Sequence, residues 1–100
     1  MLDAAQEAIS FLGNLDAEEI AGNRLVSQAI VRSIEIVGEA ASHVSDEFKV
    51  LHREVPWQQI IGMRNRIIHA YFDIDYELIV STVKLDLPVL IEQLQKLMAE

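Results

Sequence analysis

Arg24-Leu25-Val26-Ser27-Gln28-Ala29-Ile30-Val31-Arg32-Ser33-Ile34-Glu35-Ile36-Val37-Gly38-Glu39-Ala40-Ala41-Ser42-His43 carries the pattern that decides the fold. Wound at about 100° per residue, Leu25, Val26, Ala29, Ile30, Ile34, Ile36, Val37, Ala40 and Ala41 fill roughly half of a helix circumference. Gln28, Arg32, Glu35 and Glu39 gather on a narrow opposite stripe. A face that wide touches two neighbours. Both can lie within one bundle, or one can lie across a dimer.

Outward from this helix the apolar residues keep the helical period, and no run alternates as a strand does. Leu2, Ala5, Ile9 and Leu12 give an earlier stripe, ended by Gly13-Asn14. Asp16 with Glu19 forms a capping-box pattern for a short turn to Ala21, and Gly22-Asn23 resets the chain. Ser45 is a candidate N-cap for a short helix with Phe48 and Leu51 inward. Pro56 suits the first turn of a helix from Trp57, a core candidate, to about Tyr71, since its missing N–H has no partner there. Asp73 or Asp75 can cap a last helix carrying Ile79 or Val80, Val83, Leu87, Leu90, Ile91, Leu94, Leu97 and Met98. Pro88 inside it predicts a kink near residues 84–87. The expectation is an all-α, four- to five-helix up-and-down bundle, one domain over residues 1–100.

At 100 residues roughly 65% of the unfolded chain's surface can be buried, enough for a core without staples. There is no cysteine, so disulfides and thiolate metal sites are excluded. No apolar run approaches a membrane span and no secretory leader pattern is present, so the expected location is the cytoplasm. The apolar share, 51%, is high for so short a chain and predicts an oligomer. A net charge of −8 argues against a broad basic nucleic-acid-binding face. The charge is uneven, however. From Lys49 to Tyr71, four basic residues (Lys49, Arg53, Arg64, Arg66) face only Glu54, leaving +3 there and −11 elsewhere. That asymmetry permits a small anion-binding patch.

Within the basic segment stands Arg64-Asn65-Arg66-Ile67-Ile68-His69-Ala70-Tyr71. Cleaving RNA without a metal needs a base for the 2′-OH, an acid for the leaving 5′-oxygen and a fixed charge for the phosphorane. Histidine serves as base or acid because its ordinary pKa is about 6.5. Arginine keeps its proton and presents a planar fork to phosphate oxygens. On one regular helix Arg64 and His69 would point about 140° apart, with Arg64 on the apolar face of Trp57, Ile61, Ile68 and Tyr71. An arginine there needs a carboxylate, Glu35 or Glu39, or a ligand anion in a dimer groove. Two copies would supply two histidines, one as base and one as acid. Glu35, Glu39 and His43, each four apart, could line up as metal ligands. The Glu-x-x-His pairs of bundle di-metal sites are missing, so neither metal nor cofactor is expected.

Arg, four residues, His, one residue, Tyr resembles the signature of the HepT-like branch of the HEPN ribonucleases. The resemblance extends to Ile36-Val37-Gly38-Glu39-Ala40-Ala41, Pro56-Trp57, Ile61-Gly62-Met63-Arg64-Asn65, Asp73, Asp75 and Asp86-Leu87-Pro88. It departs at the N-terminus, where the segment beginning Met1-Leu2-Asp3-Ala4 implies a shorter first helix than the family's. The resemblance implies a metal-independent endoribonuclease toxin with Arg64 and His69 catalytic. The residues themselves point to a homodimer, with Asn65 able to orient a phosphate or cap a turn and Arg66, directed away from the apolar face, able to touch RNA backbone or stand as a solvated surface arginine. The toxin's implied partner is a minimal nucleotidyltransferase antitoxin that silences it by adding AMP to Tyr71. The competing expectation is a catalytically silent bundle that only binds the nucleotidyltransferase or a nucleotide.

Overall fold

The computed structural model describes residues 1–70 and 73–99, the side chains of 69 and 70 excepted. The expectations for Tyr71 lie outside them. Helix α1 (Leu2–Leu12) packs against α3 (Arg24–Ser42) and against α8 (Leu87–Ala99). The short α2 (Ala17–Ala21) opens on the anticipated capping box: the Glu19 N–H donates to Asp16 Oδ1 at 2.8 Å, and the Asp16 N–H to Glu19 Oε1 at 3.2 Å. Asn23 caps α3, its Oδ1 accepting the Val26 N–H at 3.2 Å. The core is built from Leu12, Ile20, Ile30, Ile34, Val37, Ile67, Ile79 and Leu87 with their neighbours.

The wide face of α3 is occupied within one chain, by α1, α2, α5 (Trp57–Ile61) and α6 (Met63–Ile67). Leu25, expected on that face, is instead 82% exposed. Two small polar residues on α3 are buried, and their hydroxyls return to the helix itself. Ser27 Oγ donates to the Arg24 carbonyl and Ser33 Oγ to that of Ala29, both at 3.1 Å. Gly38 marks the closest approach of α3 to α5: a Cβ there would sit 3.3 Å from the carbonyl oxygens of both Ile60 and Ile61.

Helix α4 (Asp46–Leu51) is capped by Ser45 as expected, but Phe48 and Leu51 do not turn inward. They are 39% and 75% exposed. Six residues give less than two turns, and α4 is tied to the bundle mainly at its end. There Phe48 packs against His52 with the rings tilted by 41° and their centroids 4.3 Å apart, and the buried Trp57 donates its indole N–H to the His52 carbonyl at 3.0 Å. Met98, near the end of α8, is likewise exposed.

The expected helix from Trp57 to Tyr71 needs correction. It is interrupted at Gly62 and stops at Ile67, where the chain becomes extended as β1 (Ile68–Ala70). The Ile67 carbonyl, instead of continuing the helix, accepts the Asp75 N–H at 2.8 Å. β1 pairs antiparallel with β2 (Asp73–Ile74), Ile68 opposite Ile74 and Ala70 opposite Asp73. His69 is thus an extra residue on β1, a bulge in the ribbon.

Of the two candidate caps for the last helix, Asp75 is the one used, accepting the Leu78 N–H at 3.0 Å. That helix runs as α7 (Tyr76–Ser81), a wider π turn (Thr82–Asp86) and α8. The irregularity falls where Pro88 placed it. Proline cannot donate to the Lys84 carbonyl four residues back, and its ring crowds that turn. The Leu87 N–H accordingly reaches Thr82, five residues back.

Candidate functional site: an arginine groove

The motif residues stand on α6, a single turn anchored on the core by buried Met63 and Ile67. With those two inward, Arg64, Asn65 and Arg66 are left exposed. Arg64 is therefore not sunk in an apolar face; its side chain is 46% exposed. Of the two carboxylates weighed for it, Glu35 answers, with Oε1 3.9 Å from Arg64 Nε. The other Glu35 oxygen lies 3.7 Å from Arg32 Nη1, one turn earlier on α3. One carboxylate thus serves two guanidiniums. Arg64 Nη1 also donates to Asn65 Oδ1 at 3.4 Å, so these two motif side chains meet.

Arg64 opens onto a groove of about 340 Å³. One wall is α3, through Arg24, Gln28, Val31, Arg32 and Glu35. The other is Arg64 with Ile68 and Ile74, the cross-strand pair of the ribbon. Three guanidiniums and one carboxylate line it, so the groove is net positive on a chain of net charge −8. His69 follows Ile68 directly. The sharing of one helical face by Arg64 and Tyr71, and its denial to His69, assumed helix through residue 71; with β1 extended from Ile68 that geometry does not apply.

The basic segment does not act as one patch. Arg66 turns from the groove, Nη2 donating to the Gln59 carbonyl at 2.7 Å, and lines a separate depression of about 260 Å³ beside Asp86 and Gln93. Lys49 and Arg53 flank a third, against Trp57. What joins Arg64 instead is Arg24 and Arg32 from α3, neither of which was expected at the site. The signal was present in the sequence. Arg24, Gln28, Arg32 and Glu35 fall at i, i+4, i+8 and i+11, within about 80° of one another on a helix. Periodicity groups such a stripe without saying what it faces.

Among the described residues no three His, Asp or Glu side chains gather as a metal site, and no helix is long and apolar enough to cross a membrane. Glu35, one of the three residues weighed as metal ligands, is engaged by the two arginines.

The sequence model of the family described as "Ribonuclease HepT-like" matches residues 1–97. A Methanocaldococcus jannaschii protein with a provisional RNase name is 38% identical over 88 residues, covering 88% of this chain and 81% of that one. A second such protein, from Caldanaerobacter subterraneus subsp. tengcongensis, is 33% identical over 98% of this chain and 88% of its own length. A protein of Thermococcus cleftensis, named with reservation as ribonuclease HepT, is 44% identical over 69% of this chain and 63% of its own. No solved structure gives a significant match. The motif at residues 64–71, the helical bundle and a match spanning nearly the whole chain lead to one assignment: this protein belongs to the HepT-like ribonuclease family.

Proposed function

We propose that this chain is a metal-independent endoribonuclease, the toxin of a toxin–antitoxin pair, acting as a homodimer in the cytoplasm. The observation that carries the reading is Arg64 on an open, net-positive groove with His69 one residue beyond the groove-lining Ile68. In this mechanism one His69 takes the proton of the 2′-OH. The 2′-oxygen attacks phosphorus, the bond to the 5′-oxygen breaks, and the His69 of a second copy returns a proton to the leaving oxygen. Arg64 holds the charge that builds on the phosphorane, in the manner of an oxyanion clamp. Asn65 orients the Arg64 fork through their hydrogen bond. Arg66, grouped above with the substrate contacts, fits better as a brace between α6 and the middle of α5, by its bond to the Gln59 carbonyl.

The expected result is that Arg64→Ala and His69→Ala each lose at least about 10² of the cleavage rate, the usual scale for a missing oxyanion donor and a missing acid or base respectively, while staying folded. Products should carry 2′,3′-cyclic phosphate and 5′-OH ends, and cleavage should persist in EDTA. Cleavage lost in EDTA and restored by Mg²⁺ would overturn the mechanism.

Control by a minimal nucleotidyltransferase completes the proposal. The family resemblance supports transfer of AMP from ATP to the Tyr71 hydroxyl, pyrophosphate leaving. The added phosphate is an anion of the kind an arginine fork binds, so it would compete with RNA for Arg64. Coexpression with the cognate nucleotidyltransferase should yield a Tyr71 peptide heavier by AMP, and Tyr71→Phe should escape silencing. A Tyr71→Phe protein that is still fully silenced would show that control works by covering the site instead.

A further inference from the structure

We infer that Arg24 and Arg32 on α3 are phosphate-binding residues that, with Arg64, form a track for the backbone of a single RNA strand. The inference rests on the ribonuclease reading and extends it to residues outside the motif. Three features of the groove support it. First, all three guanidiniums open onto the same space, and the one carboxylate there, Glu35, is already shared between Arg32 and Arg64. Second, Arg24 has no ion-pair partner among the described residues. It is the first residue of a 19-residue helix, where the helix dipole disfavours a cation. A cation kept there works against local stability and adds to a field that attracts an anion. Third, Arg24 and Arg32 are eight residues apart, a rise of about 12 Å. A stacked strand advances roughly 3.4 Å per nucleotide, so the track engages more than one phosphate. A lone small anion would not need that length. Gln28, between the two arginines on the same wall, supplies an amide for the sugar–phosphate edge.

The test uses a short 2′-O-methyl oligouridylate, which has the RNA backbone but no 2′-OH to react, and measures its affinity over a range of salt. Arg24→Gln and Arg32→Gln should each weaken binding and lower the slope of log affinity against log salt by about 0.7, the value for one lost single-strand phosphate contact. Arg53→Gln, on a separate depression, should change neither. On cleavable RNA the two variants should raise KM and leave kcat within about twofold, as expected for contacts made equally in ground and transition states. Arg24→Gln should melt no lower than the parent, which separates lost binding from lost folding. Unchanged salt slopes in both variants, or no binding of the oligonucleotide by the parent chain, would overturn the track. The ribonuclease reading fails separately. If the parent binds the methylated strand with the expected slopes yet leaves unmodified RNA intact, the track stands and the catalytic assignment falls.

Discussion

Glu35 lies between two guanidiniums, 3.7 Å from Arg32 and 3.9 Å from Arg64, and is itself about one-third exposed. It keeps the two arginines near each other and offsets part of their charge. When a phosphate arrives, the same carboxylate competes with it for the same donors. Exposed ion pairs are worth up to about 1 kcal/mol, so removing the competitor should strengthen oligonucleotide binding by no more than about fivefold. Arg64 would at the same time lose one of the two contacts that orient its fork, the other being Asn65, so kcat should fall. Glu35→Gln is thus expected to lower both the Kd for the methylated strand and kcat. A raised Kd would mean that Glu35 itself supports the substrate. At this scale the sequence named Glu35 or Glu39 as one of two answers to Arg64, the other being a ligand anion in a dimer groove, and Glu35 is the carboxylate that meets it. The sequence reading did not reach Arg24 and Arg32, because a helical stripe defines a face and its neighbour is set by tertiary packing. It also grouped Arg66 with Asn65 on the substrate, whereas Asn65 meets Arg64 and Arg66 turns to the Gln59 carbonyl.

Among the elements, the contact of α3 with α5 sets where the motif sits. A methyl group at Gly38 would meet the Ile60 and Ile61 carbonyl oxygens at 3.3 Å, so α5 would have to retreat by a few tenths of an ångström. Those carbonyls lead directly into Gly62 and α6, so the retreat would carry Arg64 away from Glu35 and Arg32. Alanine gains about 1 kcal/mol of helix propensity over glycine, while overpacking costs typically about 1–3 kcal/mol. Gly38→Ala should therefore melt lower by several degrees, about 4–8 °C for each net kcal/mol in a domain of this size. Gly38→Val, with more bulk to place, should lose more, and both should lose cleavage out of proportion to stability. A Gly38→Ala protein that melts at the parent temperature with full activity would show that α5 yields freely. Caps, the Pro88 irregularity and the helix stripes were legible because each depends on residues a few positions apart. The end of the helix at Ile67 was not. Ile67 and Ile68 fit the helical period, and what ends it is an N–H from Asp75, eight residues on, taking the Ile67 carbonyl. β-branched residues accept the extended alternative readily.

For the whole molecule, the proposed mechanism asks one motif histidine per chain, His69, to act as base in one copy and as acid in the other. Two copies meeting beside the groove would allow it, and two of the exposed apolar clusters lie near the depressions that hold Arg64 and Arg66. Leu25, 82% exposed, follows Arg24, which lines the groove. Leu85 and Val89 are exposed beside the separate depression that holds Arg66. The first lies next in sequence to a groove arginine, so a composite cleft is expected to use an interface that includes Leu25. The radius of gyration, 13.5 Å, is close to the roughly 13 Å of an ordinary folded domain of 100 residues. Each copy is thus compact by itself, and a dimer would form between folded chains. Light scattering at micromolar concentration should give twice the 11.3 kDa chain mass. Leu25→Glu, which buries a charge at that interface, should return the mass to one chain and abolish cleavage together. Leu85→Glu should leave both unchanged. If Leu85→Glu splits the dimer and Leu25→Glu does not, the two grooves face away from each other. Each would then have to supply base and acid from its own chain, and the shared-histidine mechanism would be lost.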